Sequence, residues 1–342
     1  MDSAVMQENE IQAKPSAIKK SLHFLAWASA FLLVFLLFVG FQNAKSMMQF
    51  NNEGTRTAKF ETMSAAQKVG LFLFGFQRPR PENLKTPESI GLPYEEFEIP
   101  SKDGRKLQLW KIPGEKSEAL FILFHGYVAK KERLLPAAKI LHARGFSSIL
   151  VDFPGSGGSS GSITTMGILE ALDVKSVFEF AREKFPQTPL VLFGSSMGAA
   201  AIARAVALEN ISPDGLILES PFDSFLQTMR NRFLILKVPS FPLAEFIVGW
   251  MSVLSGTNVF GHAPAKFASS LQMPVLQLQG EKDIKVSHEQ AQNIFREIPG
   301  QKHLQIFPNV GHKFFAQTHP ELWENTVMEF VATLQLGISL QK

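Results

Sequence analysis

The chain contains no cysteine in 342 residues. Disulfides, a thiolate nucleophile and cysteine-ligated zinc are therefore excluded. The absence does not fix the compartment, because a domain of this size can bury enough core to fold without covalent staples. Charge is also sparse. Asp, Glu, Lys and Arg make up 19% of the residues, the formal net charge is only +3, and there is no long basic run. A nucleic-acid partner is thus not expected. The glycine-rich GSGGSSG at 155–161 is not followed by Gly-Lys-Ser/Thr and reads as the turn after a strand, not a phosphate cradle. His288-Glu289 lacks the second histidine of a zinc-binding helix, so no metal and no cofactor are expected.

One long hydrophobic run is present. Leu22–Phe41, LHFLAWASAFLLVFLLFVGF, carries no Asp, Glu, Lys or Arg. It matches the roughly 20 residues that a bilayer-spanning helix needs. A cleaved signal peptide would have a core of about 7–15 residues and a small-residue cleavage site. This core is longer, and Gln42-Asn43-Ala44 fits such a site poorly. The reading is an uncleaved single-pass membrane anchor. Flanking charges balance, with Lys14, Lys19 and Lys20 before it and Lys45, Arg56 and Lys59 after it. Lys19 and Lys20 abut the run, which favours a cytoplasmic N-terminus and a main domain on the exoplasmic or periplasmic side. The organisation read from the chain is a tail at 1–21, an anchor at 22–41, a tether and wrap at 42–93, and one domain at 94–342.

Beyond the anchor, the polar 42–65 reads as the tether. Val69–Phe76 is apolar but too short to span, and suits a helix at the membrane face or one packed on the domain. Arg78–Pro93 holds four prolines and reads as an extended wrap. Asp103-Gly104 between Tyr94–Ile99 and Leu107–Ile112 signals a hairpin. Six unalternating apolar runs follow, at 119–124, 147–153, 189–194, 215–220, 274–280 and 303–308. Such runs suit strands covered on both faces. Helical patterns lie between them, at Leu134–Arg144, Met166–Phe185, Met197–Glu209 and Ser287–Ile298. The expected fold is α/β: a doubly wound, mostly parallel sheet with an N-terminal antiparallel hairpin. The apolar Pro221–Met273 interval, broken at Pro239 and Pro242, reads as an inserted helical cap at about 222–270.

In such sheets ligands bind beyond the carboxyl ends of the strands. There stands Gly194-Ser195-Ser196-Met197-Gly198, after LVLF and before AAAIARAVAL. A nucleophile on a tight strand-to-helix turn needs glycine two residues before and two after it, where side chains would collide with neighbouring backbone. That spacing selects Ser196 over Ser195. A serine hydroxyl needs a base, and the base needs an orienting carboxylate. His312, on the loop after the last strand, is the expected base. His303 starts that strand at the wrong end, and His319 sits at the start of the C-terminal helix. Asp283, three residues past Gly280, is the expected carboxylate, with Glu281 and Asp223 as alternatives. The N–H groups of Met197 and Tyr127 are the expected oxyanion donors. His125 reads as structural rather than catalytic.

These pieces resemble the α/β-hydrolase-fold serine hydrolases, and most closely the membrane-tethered α/β-hydrolase domain-containing and serine-aminopeptidase-like branch. The likeness runs from about Tyr94 to Leu334. It rests on Asp103-Gly104, His125-Gly126, Asp152-Phe-Pro-Gly155-Ser-Gly157-Gly-Ser159, Glu170-Ala-Leu-Asp173, Gly194–Gly198, Glu219-Ser-Pro-Phe222, Gly280-Glu-Lys-Asp283 and Gly311-His312. One departure is that Tyr127-Val128-Ala129-Lys130-Lys131 follows His-Gly, where the branch often has small residues and Asn. The resemblance implies an esterase, thioesterase or lipase-like enzyme whose cap sets the substrate. With the apolar cap and the anchor, an acyl or lipid-like substrate is expected. Acyl transfer or peptide cleavage on the same triad, and a non-catalytic membrane scaffold, are the alternatives.

Overall fold

The structure, a computed structural model, describes residues 14–51, 57–58 and 62–334. The first 13 residues of the expected tail, two pieces of the polar stretch (52–56 and 59–61, with Arg56 and Lys59) and 335–342 lie outside the described residues.

Eight strands form one sheet in the order β1-β2-β4-β3-β5-β6-β7-β8. β1 (Glu95–Pro100) and β2 (Lys106–Ile112) form the hairpin predicted at Asp103-Gly104, and β2 pairs antiparallel with β4 (Phe146–Val151). The remaining pairings are all parallel: β3 (Lys116–Phe124), β4, β5 (Leu190–Ser195), β6 (Gly215–Glu219), β7 (Val275–Gly280) and β8 (Lys302–Phe307). The six continuous apolar runs are these six parallel strands. β3 shows why they do not alternate. Leu120, Ile122 and Phe124 enter the core on one face, while Ala119, Phe121 and Leu123 enter the core on the other. Each such Leu, Ile or Phe contributes about 1.5–3 kcal/mol by leaving water. Strand order reverses between β3 and β5, so the crevice at their carboxyl ends is where a ligand belongs.

Helices cover both faces of the sheet, α4 (Glu170–Lys184), α5 (Met197–Leu208) and α8 (His288–Glu297) on one and α3 (Leu135–Ala143) and α9 (Pro320–Thr333) on the other; α1 (Lys14–Met48) and α2 (Ala65–Phe74) precede them in the chain, and the cap helices α6 (Phe225–Ile235) and α7 (Leu243–Ser255) interrupt them. α4 begins four residues later than the periodicity suggests. The Glu170 carboxylate accepts the N–H groups of Thr165 and Gly167, each at 2.9 Å, and the hydroxyls of Thr164 and Thr165. These bonds hold 165–167 in a turn, with Met166 at φ 60° and Gly167 at φ 104°.

The N-terminal helix α1 (Lys14–Met48) is longer than the expected anchor, and it is the one described helix long and apolar enough to cross a membrane. Its outer part, including Phe24, Trp27, Phe31 and Val34, is exposed. Its last turns are not a free tether, which corrects the reading of residues 42–51. Ala44, Met47, Met48 and Phe50 are buried. Met48 accepts the Thr164 N–H, and Phe50 donates to Ser162. The cause is apolar matching: after the polar Gln42-Asn43, the sequence returns to Met-Met and Phe, which need cover. α2 (Ala65–Phe74), capped by Ser64 and Gln67, packs against α1 through buried Leu71 and a bond from Asn43 Nδ2 to Phe72 O, 2.9 Å. It leaves Val69, Phe72 and Phe74 exposed. The cap consists chiefly of α6 (Phe225–Ile235) and α7 (Leu243–Ser255), separated by the segment with Pro239 and Pro242. α1 lies directly on α7. A Cβ at Gly40 would come within 2.9 Å of Phe246 Cβ, and Trp250 Nε1 donates to Leu37 O at 2.9 Å.

Candidate active site

β5 runs straight into α5 through Ser196, whose backbone sits at φ 54°, ψ −109°. This left-handed conformation is costly for a residue with a side chain. The turn is possible because its neighbours have none. A Cβ on Gly194 would meet Ala199 N at 2.5 Å, and one on Gly198 would meet Phe124 O at 2.5 Å. The Ser196 N–H is tied to Glu219 O at 2.7 Å, which joins the turn to β6.

Ser196 Oγ lies 3.0 Å from His312 Nε2, and His312 Nδ1 lies 2.7 Å from Asp283 Oδ2. The three residues span more than a hundred positions and converge at the carboxyl ends of β5, β7 and β8. The Asp283 side chain has no exposed surface, and its Oδ1 accepts the N–H groups of Lys285 and Val286 at 2.9 and 3.0 Å. A carboxylate fixed this way fixes the ring: Nδ1–H donates to it, which leaves the Nε2 lone pair facing the serine hydroxyl.

The alternatives fall elsewhere. Glu281 accepts the Asn309 N–H, and Asp223 is held by Gln290 and Asn293. His303 is exposed at the start of β8, and His319 is half-buried ahead of α9. Ser195 Oγ turns away to donate to Glu219 Oε1 at 3.0 Å. His125 is buried and braces the loop: Phe153 N–H donates to its Nε2, so Nδ1–H donates to Gly126 O at 2.8 Å. Burial holds its pKa below the ordinary value.

Tyr127, Ser196 and Met197 line one cavity of about 210 Å³ together with His312 and the cap residues Phe225 and Arg232. The Met197 N–H opens α5 and the Tyr127 N–H follows Gly126. Neither donates to another group among the described residues. Gly126 is packed so that a Cβ would lie 3.1 Å from Ser195 O, which brings the Tyr127 segment against the serine turn.

Two features of the site carry no signal readable from one sequence. The first is the anchor of the Tyr127 loop. Lys131 Nζ pairs with Asp152 Oδ2 at 2.7 Å, both side chains fully buried, and lies 4.4 Å from the Trp110 ring centroid. The second is Glu219. It bridges Ser195, beside Ser196, to the Phe315 N–H, three residues beyond His312. Burial drives its pKa from 4.5 up to about 8, against the pull of those two hydrogen bonds and of Arg133. A raised carboxyl pKa means the folded state holds the proton more tightly. The stability this confers is complete below about pH 4.5 and is lost as pH rises through about 8. Glu219→Gln removes that titration. The unfolding free energy of the native protein, measured in denaturant relative to this variant, should fall between pH 5 and 8 by up to about 1.4 kcal/mol per pH unit. Parallel curves for the two proteins would contradict the buried, protonated carboxyl.

Comparison with known proteins agrees with this architecture. Residues 115–253 match the family described as serine aminopeptidase, S33. The Escherichia coli protein YfhR is 25% identical over 246 residues, covering 69% of this chain and 80% of its own. The Saccharomyces cerevisiae membrane protein YNL320W is 25% identical over 234 residues, covering 67% and 77%. Among solved structures, the Pyrococcus furiosus esterase Pf2001 superposes with a TM-score of 0.63 at 25% identity, over 74% of this chain and 96% of that one. The chain thus has the α/β-hydrolase fold, similar through its central part to the serine aminopeptidases and in its overall fold to an esterase.

Proposed function

We propose that the protein is a membrane-anchored serine hydrolase that cleaves carboxylic esters or thioesters through an acyl-serine intermediate. The observation that carries this reading is the unbroken relay Asp283–His312–Ser196, with bonds of 2.7 and 3.0 Å. His312 Nε2 takes the Ser196 proton as Oγ attacks the substrate carbonyl carbon. Asp283 keeps the ring oriented and stabilises the imidazolium. The N–H groups of Met197 and Tyr127 hold the oxyanion, helped by the positive end of α5. When the tetrahedral intermediate collapses, the leaving alcohol or thiol takes the proton from His312. Water then repeats the sequence in reverse and releases the acid. α1 anchors the enzyme, and Lys19-Lys20 at its start favour a catalytic domain outside the cytoplasm. The likeness to an esterase supports the ester preference.

The test is covalent. A fluorophosphonate probe is expected to label the intact full-length protein on Ser196, and para-nitrophenyl esters should be turned over by the same preparation. An intact protein that neither reacts with the probe nor hydrolyses any ester of a short-to-long acyl series is not a serine hydrolase.

A further inference from the structure

The last four carbonyls of a helix have no partner within it. At the end of α1 all four are met. Lys45 O accepts the Gln49 N–H at 3.0 Å, which closes the turn locally. The next three are met from three separate parts of the catalytic domain. Ser46 O accepts from Arg78 Nη1 at 3.1 Å, Met47 O from the Tyr127 hydroxyl at 2.7 Å, and Met48 O from the Thr164 N–H at 2.8 Å. The negative end of the helix dipole favours such donors, the guanidinium most of all.

Tyr127 stands apart among the three, because its own N–H is the oxyanion donor of the hydrolase reading. Its ring is held as well as its hydroxyl. The Phe50 ring lies 6.4 Å away, centroid to centroid, at 37°. The guanidiniums of Arg78 and Arg232 lie 5.3 and 5.7 Å from the Tyr127 centroid, within cation–π reach. Burial raises the pKa of the phenol, so the hydroxyl stays a donor through the neutral range.

The backbone beside it is strained. Val128 sits at φ 54°, a left-handed conformation that a β-branched residue rarely adopts. Such strain persists only where the surroundings fix it. Two anchors do so here. One is the Tyr127 side chain on α1, the other the buried Lys131–Asp152 pair, and only Val128, Ala129 and Lys130 lie between them. The segment that carries the Tyr127 N–H is thus pinned from both ends, and one of the pins is the N-terminal helix.

Resting on the hydrolase reading above, we infer that the last turn of α1 positions the oxyanion donor, with the Tyr127 phenol and the Phe50 ring as the positioning groups. Tyr127 then acts twice: its N–H touches the oxyanion, and its side chain fixes where that N–H stands. The one described helix long and apolar enough to cross a membrane is a working part of the site. A shift of α1 against the domain reaches the tetrahedral intermediate through one hydrogen bond.

The experiment uses the full-length protein in detergent micelles. The substrate is para-nitrophenyl butyrate, and the inhibitor is a trifluoromethyl ketone of the same acyl length. Serine adds to this ketone, and the resulting oxyanion needs the same donors as the intermediate. Tyr127→Phe keeps the ring and loses the bond to Met47 O. It should lower kcat about ten- to a hundredfold with KM little changed, the effect of a displaced oxyanion donor. The inhibition constant of the ketone should rise by a similar factor, while the methyl ketone, which binds without adding, should keep its affinity. Phe50→Leu should act in the same direction, and the double variant should lose less than the product of the two single losses, since both act through one contact. Phe50→Leu also carries the test if Tyr127→Phe does not fold. An active native protein beside a folded variant with kcat within about twofold of it overturns the proposal alone. So does a lower kcat with no loss of affinity for the trifluoromethyl ketone, the mark of a general loosening. A native protein that hydrolyses no ester removes the hydrolase reading and this proposal with it.

Discussion

Ser196→Ala abolishes fluorophosphonate labelling and lowers kcat for ester hydrolysis by roughly 10^4- to 10^6-fold, the scale on which a triad nucleophile is lost. His312→Ala falls in the same range. The double variant is no worse than the more damaging single one, because the two groups act as one unit and removing either leaves nothing for the other to do. Ser195→Ala is the control. Its hydroxyl donates to Glu219, not to the imidazole, so labelling survives. Turnover by Ser196→Ala within tenfold of the native rate would remove the serine from the chemistry and leave its strained turn unexplained.

Lys131→Met destabilises the protein by about 3–5 kcal/mol, the usual cost of removing one member of a buried ion pair. Asp152 is left behind as a charge with no exposed surface. Its pKa is set by a contest. Burial works to raise it, but the ammonium of Lys131, the His125 ring and the Lys131 N–H outweigh burial and hold it below the ordinary value. A depressed carboxyl pKa contributes stability above the unfolded value, and that stability is lost as pH falls through the folded one. Lys131→Met/Asp152→Asn should recover part of the loss, since the amide keeps an acceptor for the Lys131 N–H without a charge. Urea unfolding monitored by tryptophan fluorescence measures all three proteins. A loss below about 1 kcal/mol for Lys131→Met would mean that water reaches the pair. Activity should fall too, because Lys131 ties down the loop that carries the Tyr127 N–H.

The parallel strands were legible because a strand covered on both faces has no polar position, as the double-sided burial of β3 shows. The serine turn was legible for a local reason as well. Gly194 and Gly198 are demanded by contacts that lie within a few residues or on the adjacent strand β3. Chain order pointed to His312 and Asp283, because each follows a strand whose place in the sheet is set by that order, but it left Glu281 and Asp223 open until the structure showed them bonded elsewhere. The start of α4 was not legible. Its periodicity continues back to Met166, but the tertiary bonds of Glu170 hold those residues in a turn.

What the sequence determined by itself is therefore whatever rests on short-range sterics and hydrophobic period: a covered parallel sheet, a strained serine turn, and an apolar helix long enough to span a bilayer. The tertiary structure alone decided what that helix touches. Met48 and Thr164 meet across more than a hundred positions, and α1 meets α7 across an even longer separation. Such meetings depend on how apolar faces match in three dimensions, and no residue's own neighbourhood encodes them. Only when the cap closes over the carboxyl ends of the strands does Arg232, an ordinary arginine on α6, become a half-buried cation lining the same cavity as Ser196.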